Sequence, residues 1–240
     1  MESTVQTIPL SNLAIAFVPV LLVIGLLYKW SLEAGTALYS IVRMLLQLIM
    51  IGYVLVFIFK SQNIWITLSV ITVMVTASSW IALRTVEQLR LRLFAFTFIS
   101  SLLAGGSVLF ISVYFVLELE PVYKPQYSIP LAGMVFANSM NSMSLALERI
   151  ESEMRNGMSF IKARNAAFHA SLIPIINTMF AVGIVSLPGM MTGQVLSGVS
   201  PLIAVRYQVL VMCMIFSACA LTTALLLVIA RKQLEQLRIR

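Results

Sequence analysis

Val185-Ser-Leu-Pro-Gly-Met-Met-Thr-Gly-Gln-Val-Leu-Ser-Gly-Val-Ser-Pro201 joins two long apolar runs and carries no charge, three glycines and two prolines. It is too apolar for an ordinary surface loop and too rich in Gly and Pro for a straight helix. At membrane depth, irregular backbone is tolerated only where protein or a water-filled cavity satisfies its peptide groups. Such breaks lie beside substrate paths in transporters. The other reading of the same residues is a short hairpin at the membrane surface. Both readings set the segment in a membrane protein.

The whole chain agrees. Of its 240 residues, 60% are hydrophobic and only 10% are charged, against about 25% charged in soluble domains. One transmembrane domain over 1–240 is expected, with little left for a soluble one. The start, Met1-Glu2-Ser3-Thr4, lacks a basic region, and no small-residue cleavage pattern follows the first apolar run. That run is therefore expected to remain as a span. The net charge of +7 does not point to nucleic acid, because the basic residues sit in short connectors and at the tail. Cys213 and Cys219 fall six apart in one apolar run, so inert thiols are expected rather than a disulfide or a cysteine-based metal site.

A bilayer core takes about 20 apolar residues per helix. Seven runs qualify, near 9–28, 36–59, 64–83, 93–117, 129–147, 169–187 and 203–230. The expected fold is all-α and polytopic, with about seven transmembrane helices. With the N-terminus outside, the cytoplasmic connectors hold Lys29, then Arg84, Arg90 and Arg92, then Arg149, Arg155, Lys162 and Arg164. The tail adds Arg231, Lys232, Arg238 and Arg240, while the outer connectors hold only Lys60 and Lys124. The positive-inside bias predicts N-out and C-in in a cell membrane, plasma or bacterial inner. Pro174 lies inside the sixth run and is expected to kink it.

Gly-x4-Gly-Lys-[Ser/Thr] occurs nowhere, so ATP is not bound by that route. The single histidine, His169, lacks a metal-ligand or nucleophile partner at a useful spacing and reads as interfacial. No enzyme is expected. The longest charged segment, Glu148 to Arg164, places Met154, Met158 and Ile161 at helical spacing. It reads either as an amphipathic helix on the cytoplasmic side or as a solvated connector.

Glu151-Ser-Glu-Met-Arg-Asn-Gly157 has the Glu-x5-Gly spacing of the coupling loop in ABC importer permeases. Further motifs are Pro130-Leu-Ala-Gly-Met134, Asn138-Ser-Met-Asn141 and Leu172-Ile-Pro-x-x-Asn177. To these add Val182-Gly-Ile-Val-Ser-Leu-Pro-Gly-Met-Met-Thr-Gly-Gln194 and Pro201-x2-Ala-x-Arg-Tyr-Gln208. Arg43-x3-Gln47-Leu48 and Gly52-Tyr53 belong with them in the second run. Together they resemble the FetB/YbbM-type ABC transporter permeases, a family that includes the plant aluminium-sensitivity membrane proteins. The resemblance implies a half-transporter that pairs with a separate ATP-binding subunit and is linked to iron export or metal tolerance. It implies a permease homodimer, with ATP and Mg bound by the partner ATPase and no cofactor in this chain. It also implies that 148–168 couples to the ATPase through Glu151, Glu153, Arg155 and Gly157.

Asn138, Asn141 and Ser142 lie at i, i+3 and i+4 and share one helix face. Amides and hydroxyls inside a membrane either line a path or bond neighbouring helices. Asn177, Met190, Met191 and Gln194 join them as candidate path residues. Fourteen methionines, with Met140, Met143, Met190 and Met191 clustered, suit a soft metal or simply fill space. No buried carboxylate or histidine pair offers an evident Fe(II) site, and Glu118 and Glu120 in the outer connector read as a solvated pair or a cation attractor near the exit. The iron assignment therefore follows from the resemblance. The rivals are another cargo, such as a different metal or a nucleotide sugar, a non-transporting scaffold, and an intramembrane enzyme.

Overall fold

The computed structural model describes residues 8–60, 63–121 and 123–236, and every regular element within them is helical. Residues 1–4, together with Arg238 and Arg240 of the tail, lie outside them. The chain divides into two units, 1–61 and 62–240.

The first unit contains α1 (Leu10–Ile15), α2 (Phe17–Lys29) and α3 (Ala34–Lys60), with α2 packed against α3. The turn between them places Ser31 at φ 55°. Ser31 N–H bonds Tyr28 O at 3.1 Å and Leu32 N–H bonds Leu27 O at 2.9 Å, which closes α2.

The second unit contains α4 (Ile64–Ala82), α5 (Arg90–Ser100), α6 (Gly106–Ile111), α7 (Pro125–Arg155), α8 (Phe160–Ala181), α9 (Gly189–Leu196), α10 (Pro201–Ile229) and α11 (Arg231–Glu235). Asn63 caps α4, its side-chain oxygen accepting from Trp65 N–H at 2.9 Å. Pro125 and Pro201 open α7 and α10, where the missing N–H costs nothing. α5 and α6 form one long helix through a π-helical turn at Ser101–Gly105, and a second such turn follows at Ser112–Val116.

By length and apolarity, five stretches among the described residues can cross a bilayer: Leu10–Lys29, Ala34–Lys60, Ile64–Thr85, Arg90–Val116 and Pro201–Ile229. The fifth and sixth runs of the sequence fall on α7 and α8. Both are long helices, but their polar side chains keep them below that level of apolarity. α8 runs unbroken through Pro174 and stops at Ala181, so the last residues of the sixth run are not helical.

α7 packs against α4, α8 and α10, and the interior is built in two apolar clusters. One joins Leu83, Val86 and Leu93 to Met143, Leu147, Ile150 and Met154, Phe160, and Leu226 and Leu234. The other joins Val75, Val108, Leu131, Val135, Leu172, Val211 and Met214. The first gathers the C-terminal ends of α4, α7 and α10 with the N-terminal ends of α5 and α8. It therefore brings the connectors bearing Arg84, Arg90, Arg149, Arg155, Lys162 and Arg231 to one end of this unit. There the Arg90 guanidinium lies 4.0 Å over the Trp80 ring and donates to Trp80 O at 3.2 Å.

Glu148 to Arg164 does not form one amphipathic helix. α7 continues to Arg155 and ends in a left-handed turn, with Gly157 at φ 82°. Gly157 N–H bonds Met154 O and Met158 N–H bonds Glu153 O, both at 3.1 Å. This paired closure needs a residue with no Cβ penalty at that φ. Met154 and Met158 pack on the core, whereas Ile161 is 58% exposed on the next helix.

Candidate functional site

Between the two apolar clusters lies a layer of buried hydroxyls. α4 brings Ser78 and Ser79, the α5 helix brings Thr97, Ser100 and Ser101, and α7 brings Ser139 and Ser142. α8 brings Ser171, and α10 brings Thr222 and Thr223. On each helix these residues fall where one cluster hands over to the other: Val75 then Ala82, Phe136 then Met143, Cys219 then Leu226. Five helices thus carry polar groups at one level. Thr223 Oγ1 donates to Ser142 Oγ at 3.0 Å, and Ser142 Oγ donates to Ser171 O at 3.2 Å, which ties α10 to α7 to α8. Ser79 and Ser101 hydroxyls meet at 3.4 Å. The Ser100 and Ser139 hydroxyls are fully buried without a hydrogen-bond partner. The first π-helical turn begins in this layer. Gly105 ends that turn against Phe136, where an added Cβ would stand 3.1 Å from the ring.

A cavity of about 150 Å³ opens beside the layer, lined by Asn138, Asn141, Ser142, Ser171, Pro174, Thr178, Met212 and Cys219, among others. Asn138 folds its amide back onto its own helix, Nδ2 donating to Met134 O at 2.8 Å. Pro174 has no N–H to offer the carbonyl of Ala170, one turn earlier. The Thr178 hydroxyl bonds Pro174 O at 2.8 Å. The cavity is thus polar at the level of the hydroxyl layer and framed by the proline in α8.

The family model for UPF0014, described as an uncharacterised protein family, matches residues 10–234. The chain belongs to this family. It is 37% identical to the UPF0014 membrane protein slr1647 of Synechocystis, over 79% of this chain and 79% of that one. It is 32% identical to Protein ALUMINUM SENSITIVE 3 of Arabidopsis thaliana, over 88% of this chain and 81% of the relative. It is also 32% identical to the probable iron export permease protein FetB of Escherichia coli, over 88% of this chain and 85% of the relative. No solved structure gives a significant match. The resemblance read from the motifs is thereby shown. With its apolar helices, this member of the UPF0014 family is a multi-pass membrane protein.

Asn138, Asn141 and Ser142 come together in the cavity, as their spacing predicts. The other candidate path residues disperse. Asn177 is exposed on α8 and takes no part in that lining, where its neighbour Thr178 does. Met191 lines a second cavity, between α8, α9 and α10. Met190 lines a third, with Tyr127, Met134 and Tyr207. Gln194, on α9, has its side-chain oxygen buried without a partner. The clustered methionines of the sequence also part: Met143 is fully buried in one apolar cluster, while Met190 packs on the other. Met140 stays with Met143 on the first cluster, whereas the neighbours Met190 and Met191 line different cavities.

The segment around Glu151, Glu153, Arg155 and Gly157 forms the corner between α7 and α8. Arg155 pairs with Glu151 at 2.6 Å, and Arg149 pairs with Glu153, each pair one helical turn apart. Ser152, Arg155, Asn156, Ser159, Ile161 and Lys162 face outward there. Sequence reading missed Ser171, Thr223 and Met212. The Thr222-Thr223 pair inside an apolar run was the available signal. The others needed the helix faces to be known.

Proposed function

We propose that this chain is the membrane-spanning subunit of an ATP-driven transporter that exports metal ions, iron first among them, with a separate ATPase subunit. The observation that carries this reading is the 32% identity, over 88% of the chain, to a relative named as a probable iron export permease. Three features support it. The chain has no P-loop of its own, so nucleotide energy must come from a partner. The α7–α8 corner is well closed by its glycine turn and ion pairs, and it exposes charged and apolar side chains on which a partner can dock. The hydroxyl layer and its cavity give a polar level through which an ion can pass between two apolar clusters.

In this reading α7 and α8 are the fifth and sixth spans along the chain, which with the five apolar stretches make seven. α7 has 31 residues and α8 has 22. At about 1.5 Å per residue either exceeds a bilayer core of about 30 Å. Part of their lower apolarity comes from hydroxyls turned to the interior, Ser128, Ser139 and Ser142 on α7 and Ser171 on α8. Seven spans with the basic end inside make the topology N-out and C-in. Two copies pair with two ATPase subunits, which hold the ATP and Mg; this chain performs no chemistry itself. Nucleotide-driven closure acts through differential affinity of the ATPases for two arrangements of the helices.

The deciding experiment is gentle purification of the tagged full chain from its native membranes with quantitation of what accompanies it. A stoichiometric ATPase subunit is expected. A folded, monodisperse chain that repeatedly purifies alone overturns the reading and moves the chain to the scaffold class. Transport of iron, another metal and a nucleotide sugar into inside-out vesicles carrying the complex then names the cargo.

A further inference from the structure

A second cavity, of about 370 Å³, lies between the end of α8, the segment leading into α9, and α10. Its lining includes Met179, Met191, Met212 and Cys213, together with Gln208. Three methionines and a cysteine, drawn from three separate stretches of the sequence, thus line one space. The fold assembles them because α9, set between Pro188 and the left-handed Gly198, packs back against α10. Met179 and Cys213 are exposed, so the cavity is open at the surface of the helices rather than sealed within them.

Gln208 is 5% exposed, and its side-chain oxygen is buried without a hydrogen-bond partner. A buried amide oxygen left unpaired is unfavourable, and an occupant that offers it a positive group removes the penalty. A lipid acyl chain would suit the methionines and leave that oxygen unpaired. No charged residue contributes to the lining. The cost of stripping water from an ion rises with the square of its charge, so neutral walls disfavour a divalent cation far more than a monovalent one. Thioether and thiol donors select soft metals.

We infer that this cavity binds a soft monovalent cation, Cu(I) or its redox-inert analogue Ag(I), through the sulfurs of Met179, Met191, Met212 and Cys213, with Gln208 as the oxygen beside it. Cys213 binds as thiolate: its S–H bond breaks heterolytically, the proton passes to a buffer base as the metal enters, and a sulfur–metal bond forms. One thiolate balances one monovalent charge, so the loaded site is neutral. The cavity shares Met212 with the smaller one beside the hydroxyl layer, which makes Met212 the common wall between sulfur donors and the Asn138–Ser142 face. The inference concerns this cavity alone, and its failure leaves the ATPase association unaffected.

The test uses the purified, reduced full chain in detergent under anaerobic conditions, titrated with Cu(I) against a colorimetric Cu(I) chelator. One Cu(I) per chain is expected, with sulfur scattering in the copper X-ray absorption spectrum. M191L combined with M212L, a change that conserves volume, is expected to weaken binding by about tenfold or more. M50L, at an exposed position of α3, is expected to bind as the parent does. If the double variant is not monodisperse, M179L at its exposed position serves instead, with the same direction of change. Excess Fe(II) is expected not to displace the metal. C213S is expected to weaken binding as well, since it removes the thiolate. No retention by the folded chain, retention unchanged in the thioether variants or in C213S, or displacement by Fe(II) each overturns the inference.

Discussion

Ser142 and Ser139 sit one turn apart on the same helix and are both buried, yet their substitutions should differ in sign. Ser142 accepts from Thr223 and donates to Ser171 O. Its replacement by Ala strands the Thr223 hydroxyl, and a loss of about 1 kcal/mol is expected. Ser139 has no partner to lose. Ser139→Ala removes an unsatisfied hydroxyl and is expected to be neutral or stabilising. Thermal unfolding of the two variants in one detergent checks the contrast. Equal destabilisation would mean that Ser139 is bonded in the membrane. Gly157 gives a second residue-scale case. At φ 82° an Ala there costs about 1–2 kcal/mol, and Asn is expected to cost less because it tolerates the left-handed region. Proline is a poor probe of coupling at this position, since it also removes the N–H that bonds Met154 O.

At the scale of elements, the α7–α8 corner and the α7–α10 cavity separate two roles. The corner is held from behind by Met154, Phe160 and Ala163 in an apolar cluster, while Ile161 points outward. Ile161→Glu is expected to reduce ATPase association by about tenfold or more, since a buried interface charge without a partner is costly. The fold should persist, because that side chain is not part of the core. Pull-down with the partner subunit and an unfolding curve together check this; a normal complex would remove the corner from the docking surface. Breaking its ion pairs should matter little, since exposed pairs one turn apart stabilise by about 0.2–0.5 kcal/mol. In the cavity, Asn138→Leu with Asn141→Leu is expected to lower transport and leave assembly with the ATPase intact. Transport at the parent rate would assign the two amides to packing.

At the scale of the whole molecule, the topology is open to direct measurement. Cysteines placed at Ser152 and Lys124, in a background with Cys213→Ser and Cys219→Ala, are expected to react with an impermeant maleimide from opposite faces. Ser152 should be labelled only after the cytoplasmic side is opened, and Lys124 in intact cells. Labelling of both from one side would break the N-out, seven-span reading. The membrane class, the helical content and the boundaries of most spans were legible in the sequence, because twenty-residue apolar stretches carry their meaning locally. Asn138, Asn141 and Ser142 were legible as one face because helical periodicity acts over a single turn. The gathering of Met179, Met191 and Met212 was not, nor was the agreement in level of Ser79, Ser139, Ser171 and Thr223.

Sequence by itself determined that this protein lives in a bilayer, that its family is the one its Leu-Pro-Gly-Met-Met-Thr-Gly-Gln element suggests, and that the charged connectors and apolar runs alternate. These follow from composition, local periodicity and short motifs. Only the tertiary structure decided that Glu148 to Arg164 is a corner rather than a helix, that the hydroxyls of five helices share one layer, and that sulfur donors from α8, α9 and α10 line one cavity. Each of those depends on the rotation and depth at which one helix meets another. Packing among distant residues sets those quantities, and no single stretch of chain encodes them.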